Sequence, residues 1–431
     1  MTNRNKNTTS FGGLFGLALG GVVATAGPVL AEDTFKMGII TFLSGPAAGS
    51  VGIPQQKASE LLIEAINAGS LPAPYDTPGI GGQQIEAIYV DENSKQKSAD
   101  YKKLVNKDGV SAIVGYVSSG NCKAMAPLAE EEKALTVFST CGTPQVYEEV
   151  VTAPEYSFRT ISHATSDSVG AARYVAEIMP GATTLSGINQ NYAWGQDSWR
   201  DFSQSVTNLN ADLEIVNEQF PKVFAGQYGS EITSLLSSKA QLVHTSFWGG
   251  DLEAFVLQGT GRGLFREQVP VLTVGDTIID TLGDKIPDGA IIGARGPYGV
   301  LAPDNALNDW LKAAYQEAHG VHPNSAVYQQ VQAILAVKAA ADKAGSADPE
   351  AIRQALKGLT YDSPAGPVEM GLSNGHQAVL GISYGTYKFN KDTGAGTVEN
   401  IRLYPASCVN PPKGVGSIEW VESGLEGAVC N

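Results

Sequence analysis

The chain has 431 residues, 43% hydrophobic and 17% charged, which excludes a disordered or membrane-embedded protein and points to two or three soluble domains. The 44 acidic residues outnumber 29 basic ones, for a formal charge of −15. That balance argues against nucleic acid or anionic lipid as a partner, because basic patches supply the affinity for both.

Residues 1–31 read as a secretory signal peptide. Arg4 and Lys6 supply the positive start, GGLFGLALGGVVATAGPVLA the apolar stretch, and Val29-Leu30-Ala31 the small residues before a cleavage site after Ala31. No later segment reaches the ~20 apolar residues of a spanning helix, so the mature protein is expected to be exported and soluble. Export removes two basic residues and leaves 27 against 44 acidic, a charge of −17. Four cysteines remain, Cys122, Cys141, Cys408 and Cys430, and an even count in an oxidising compartment points to two disulfides. Three connectivities are open. The local one, Cys122–Cys141 with Cys408–Cys430, is the expected pairing, each bridge contributing roughly 3 kcal/mol by loop closure. No CxxC or HxxxH spacing favours a metal site, and no cofactor is expected.

From residue 34 onward, short apolar runs alternate with amphipathic segments. FKMGII precedes PQQKASELLIEAINAG, QIEAIYV precedes KSADYKKLVNK, VSAIVGYV precedes CKAMAPLAEEEK, and ALTVFST follows. This alternation predicts βαβ units on a parallel sheet. Residues 69–82, GSLPAPYDTPGIGG, interrupt it as a turn-rich ordered surface loop. The pattern restarts near EYSFRTI. TTLSGIN leads to WGQDSWRDFSQSVTNLN, ADLEIVNEQF to SEITSLLSSK, QLVHTSF to LEAFVLQGTG, and VPVLTVG to TIIDTLG. Two sets of similar length predict an α/β protein of two doubly wound, Rossmann-like lobes. GAIIGARG then precedes three expected helices between Asn305 and Lys357. AVLGISYGTYKF and VENIRLYP read as strands, and the Gly- and Pro-rich residues after Pro405 as a surface extension pinned by a disulfide.

The stretch YVSSGNC, after the strand SAIVG, invites three chemistries. A nucleophile elbow needs glycine two residues either side of the serine, but Tyr116 and Val117 precede Ser118 and Ser119, and none of the five histidines carries a catalytic signature. GTGRG at residues 259–263 closes a helix instead of opening one, so it is no phosphate fingerprint. DENSKQKSADYK departs from a calcium loop at Gln96 and Lys102. What remains is a ligand grip beyond the carboxyl ends of the strands. Ser118, Ser119 and the Gly120 backbone would act with Thr140, Cys141 and Gly142 of TCGT on the neighbouring strand end. Hydroxyls and helix N-terminal amides suit a carboxylate. In the second set, Trp194, Phe247 and Trp248 could wall an apolar pocket or pack the lobe, and Asp276 could accept from an ammonium group or cap a helix N-terminus.

FKMGIITFLSGPAAGSVG, ASELLIEAINA, SAIVGYVSSGN, FSTCGTP, FRT and VENIRLYP, in that order, resemble the branched-chain amino-acid (Leu/Ile/Val) type of periplasmic solute-binding protein over most of residues 34–405. The resemblance implies a type I periplasmic binding fold with three hinge crossovers, near Phe158, Ile292 and Leu380. Lobe one would comprise residues 32–158 and 292–380, lobe two residues 159–291 and 381–407, and the extension residues 408–431. By the same resemblance, Ser119 holds the ligand carboxylate, and Thr140 and Gly142 contact carboxylate and amine. Trp194, Phe247 and Trp248 face the ligand from lobe two, and Asp276 pairs with its ammonium. The chain departs from the family in having Gly142 in place of a hydroxyl residue, Val51 in place of a large aromatic, and no cysteine near Asn93. The implied function is the monomeric, non-enzymatic binding component of an ABC importer. It would capture an amino acid or related small carboxylate and deliver it to a membrane permease and its ATPases. An aromatic carboxylate is the alternative ligand, with Tyr116 as a further stacking surface, and a sensor presenting its ligand to a membrane receptor the alternative role.

Overall fold

The computed structural model describes residues 34–430, so the expected signal peptide lies outside the described residues. Lobe one opens with β1 (Phe35–Thr41), β2 (Ile85–Asp91), β3 (Ala112–Gly115), β4 (Thr136–Phe138) and β5 (Ser157–Arg159), parallel in the order β2-β1-β3-β4-β5. Lobe two repeats that order. Its β6 (Thr184–Ile188), β7 (Glu214–Gln219), β8 (Leu242–Thr245), β9 (Val269–Leu272) and β10 (Ile291–Gly293) run β7-β6-β8-β9-β10. This doubly wound order places its switch point between the first and third strands of each lobe.

Helices cover both faces of each sheet, which is why AIVG in β3 and LVHT in β8 are buried throughout. Alternation along β1 sends Met37 and Ile39 to one side and Ile40 to the other. The first pair packs under helices Ile53–Ala68 and Ser325–Ala344, and Ile40 packs with Tyr101, Met125 and Phe138. Helices Ala306–His319 and Pro349–Leu356 also pack on lobe one.

The chain crosses between the sheets three times: after β5, after β10, and between β13 (Gln377–Val379) and β14 (Ile382–Asn390). β11 (Thr360–Ser363) and β12 (Gly366–Leu372) join β13 to widen lobe one beyond β5, while β14 and β15 (Ala395–Tyr404) widen lobe two beyond β10. AVLGISYGTYKF is therefore two strands in two sheets, parted at Leu380 and Gly381. The hairpin β11–β12 has no counterpart in the sequence reading.

Two segments read as surface additions are anchored in the cores. The 69–82 insertion buries Leu71, Tyr75 and Ile80 in lobe one, and the Tyr75 hydroxyl donates to Asp362 O at 2.6 Å. The C-terminal extension buries Cys408, Val409, Trp420, Val421 and Leu425 among Tyr174, Phe202 and Val206 of lobe two. Gly and Pro dominate its composition, but the apolar face of helix Ser417–Glu422 decides its packing. Disulfides join Cys122 to Cys141 and Cys408 to Cys430.

Candidate functional site: an enclosed cavity between the lobes

The lobes meet at the carboxyl ends of their parallel strands, where open α/β sheets bind ligands. Loops after β1, β3 and β4 bring Val51, Val117, Ser119, Thr140 and Gly142. Those after β6, β8 and β9 bring Tyr192, Trp194, Trp248, Val274 and Thr277. Arg295, on the second crossing, and Ala326 and Gln329, on helix Ser325–Ala344, complete the lining of the cavity. Bonds from lobe to lobe close it. Gly250 N donates to Pro46 O at 2.9 Å, and Thr143 Oγ1 and Gln145 Nε2 donate to Asp197 at 2.6 and 3.2 Å.

The polar end of the cavity is built from the 140–143 loop outward. Ser119 Oγ accepts from the amides of Gly142 and Thr143 at 3.3 and 3.2 Å, which occupies its lone pairs and leaves its proton for a ligand. Thr140 Oγ1 accepts from Gln55 Nε2 at 2.6 Å, and Gln55 is fixed in turn by Thr41. Arg295 sits at positive φ (61°), an uncommon conformation for a non-glycine residue. Its guanidinium lies 4.3 Å from the Trp194 ring centroid, close enough for a cation–π contact. Nη1 donates to Thr140 O and Nε to Asp167 Oδ2, whereas buried Nη2 has no partner among the described residues. A Cβ added to Gly142 would collide with the Trp194 ring and Arg295 Nη2. The absent hydroxyl at this position therefore makes room for an arginine and an indole.

Aromatic rings form the other walls. Trp194 Nε1 donates to Ser246 O at 2.8 Å and Trp248 Nε1 to Tyr192 Oη at 2.7 Å, which fixes both indoles. Phe42 and Phe224 pack on Trp248. The Gln329 amide makes no hydrogen bond to the described residues and is free to meet a ligand. None of the cavity-lining residues is a carboxylate.

Of the residues proposed from sequence, Ser119, Thr140, Gly142, Trp194 and Trp248 meet in this cavity; Ser118, Gly120, Cys141, Phe247 and Asp276 do not line it. The Ser118 amide, with that of Val117 and the Asn121 side chain, donates to Glu92, which fills the helix N-terminus meant for the ligand. Burial pushes the Glu92 carboxyl up to about 7 against those three donors. Gly120 is exposed on the helix Ser119–Glu132, and Cys141 is buried in its disulfide. Phe247 points the opposite way from its neighbour Trp248, into Tyr228 and Phe255 of the lobe-two core. Tyr116 packs on Phe138 within lobe one.

Asp276 takes the capping alternative and not the ammonium one. Its oxygens accept from Ser325 N at 2.6 Å and Ser325 Oγ at 2.9 Å, so it caps a lobe-one helix from lobe two. Arg295 was missed because nothing local in GAIIGARG distinguishes it from a surface arginine. Gln329 was missed because it lies on a helix remote from the strand-end loops. No group of three or more metal-binding side chains occurs among the described residues.

This fold, with its enclosed cavity at the hinge, defines a two-lobed solute-binding protein. The family model described as periplasmic binding protein matches residues 34–392. The leucine-, isoleucine-, valine-, threonine- and alanine-binding protein of Pseudomonas aeruginosa is 24% identical over 343 residues, 78% of this chain and 86% of that one. A solute-binding protein of an ABC transporter from Rhodopseudomonas palustris BisB5, solved with 3,4-dihydroxybenzoic acid, superposes with TM-score 0.73 at 23% identity over 87% of this chain and 98% of that one. One from R. palustris solved with benzoate gives 0.72 at 19%, covering 86% and 96%. The chain belongs to the periplasmic binding protein family and is a solute-binding protein.

Proposed function

We propose that the protein captures a small aromatic carboxylate in the inter-lobe cavity, as the exported, monomeric binding component of an ABC importer. One observation carries the reading. Arg295 Nη2, unpaired, lines a cavity of three aromatic rings with no carboxylate to receive an ammonium group. Asp167 holds the guanidinium through Nε, so what the site lacks is an acceptor for the buried Nη2 donor, and a ligand carboxylate oxygen supplies one. Ser119 and Thr140 would complete the carboxylate grip, with Trp194, Trp248 and Tyr192 around the ring. The structural neighbours solved with benzoate and 3,4-dihydroxybenzoic acid support this choice, and the amino-acid-binding relatives keep an α-amino acid as the second reading. The signal peptide, cleaved after Ala31, would deliver the protein to the periplasm, where a permease and its ATPases read the closed form.

Calorimetric titration with benzoate, 4-hydroxybenzoate and leucine decides between the two. Aromatic acids are expected to bind and leucine not to compete. Tight leucine binding without any response to benzoate would refute the aromatic reading.

A further inference from the structure

A second cavity, ≈ 850 Å³ and open to solvent, shares no lining residue with the first. Lobe one supplies Tyr147 and Arg159, the first crossing His163, and the C-terminal extension residues 414–416. Arg159 is 1% exposed and forms no ion pair among the described residues. Its Nε donates to Gln377 Oε1 at 2.5 Å and its Nη1 to the carbonyls of Cys141 and Thr143 at 3.2 and 2.6 Å. All three acceptors are neutral, and Nη2 bonds to none of the described residues.

Two further polar side chains lining the cavity are buried without hydrogen-bond partners among the described residues: the Tyr147 hydroxyl and both ring nitrogens of His163, residues 4% and 2% exposed. Burial leaves the imidazole neutral, with one donor nitrogen. The one carboxylate on the rim, Glu148, is exposed to solvent and already accepts from Ser417 N at 2.9 Å and Ser417 Oγ at 2.6 Å. An uncompensated buried guanidinium beside an unpaired hydroxyl and an unpaired imidazole is a donor set for an anion.

We propose that this hinge-side cavity is a second binding site, for a small oxyanion such as phosphate or sulfate, held by Arg159, Tyr147 and His163. Its occupant touches lobe one, a crossing segment and the extension at once. Arg159 also grips the 140–143 loop that carries Thr140 and Gly142 of the main cavity, so the oxyanion is coupled to that site through one loop.

The test is thermal unfolding of the full mature chain against phosphate at constant ionic strength. Wild type is expected to show a saturable rise, and Tyr147→Phe to need about tenfold more phosphate for half of it, from loss of a charge-assisted hydrogen bond. Equal curves for wild type and Tyr147→Phe would mean general salting-out, or an anion bound elsewhere, and overturn the site. Crystals of the wild type grown with selenate supply the second readout. A selenium peak beside Arg159 Nη2 and Tyr147 Oη is expected. No peak there, or a peak without a saturable effect in solution (an adventitious ion only), refutes the proposal.

Discussion

Asp276 ties the two lobes together, and its replacement by asparagine measures what closure costs. It lies after β9 in lobe two, while Ser325 opens a lobe-one helix, so both hydrogen bonds and the burial exist only when the lobes meet. Charge-assisted bonds of this kind contribute about 1.5–3 kcal/mol each, and the helix N-terminus adds roughly 0.3–1. Desolvation outweighs them: burial pushes the Asp276 carboxyl up to about 7, against the opposing pull of the Ser325 and Thr277 amides. Separating the lobes would break both bonds and hydrate the loop, and the carboxyl would return toward its usual value near ~3.9.

Closure therefore takes up a proton between those two values. A raised pKa in the closed form means that the protonated carboxyl closes more readily. Closure is unaffected well above pH 7, strengthens about tenfold per unit as pH falls below it, and gains nothing further below ~3.9. Between pH 8 and pH 6 the affinity for benzoate should tighten about tenfold. Tyr328 on the capped helix, and Lys57, Asp280 and His322 around the adjoining cleft, face the same space. They are unchanged in Asp276→Asn, so the difference between the two proteins isolates one carboxyl. Asparagine keeps an acceptor for Ser325 and cannot titrate. Calorimetry at pH 6, 7 and 8 should give a flatter profile for Asp276→Asn, with affinity at pH 8 no weaker than wild type. A wild-type profile flat over this range, or a variant with the same slope as wild type, would falsify the latch. Leucine binding that disappears in the variant would return Asp276 to the ammonium role.

Three further perturbations probe other parts of the molecule. Ser119→Ala should weaken carboxylate binding by about 1.5–3 kcal/mol, because it removes a charge-assisted donor; unchanged affinity on titration would take Ser119 out of the grip. Gly142→Ala should abolish ligand binding while moving the thermal midpoint little, since the methyl displaces Trp194 and Arg295 at the cavity wall; retained affinity would show that the indole has other room. Trp420→Ala should cost about 3–5 kcal/mol in urea unfolding, the usual loss for a large buried aromatic; a cost below about 1 kcal/mol would mean that the extension is not part of the lobe-two core.

The two-lobed fold was legible because parallel strands covered on both faces must be short, apolar and spaced by amphipathic helices, and residues 34–300 repeat that pattern twice. Positions of the lobe-one grip were legible for a related reason: Ser119, Thr140 and Gly142 sit at strand ends, and topology places those ends together. Chemistry at the site was less so. Whether a strand-end residue points into the cleft depends on one step of alternation, and that step sends Trp248 to the cavity and Phe247 to the core. Asp276 looked like a ligand for an amine because its partner, the Ser325 amide, lies 49 positions away on the other lobe. Arg295 looked like a loop residue for the converse reason. Its importance rests on what surrounds it: a glycine at 142 that admits it, an indole that stacks on it, and a carbonyl and a carboxylate that hold Nη1 and Nε while leaving Nη2 toward the cavity. With Asp276 committed across the cleft and Arg295 Nη2 left without an acceptor beside it, the ligand expected changes from a zwitterion to a carboxylate without an amine. That change follows from two side chains whose roles only the closed arrangement of the lobes defines.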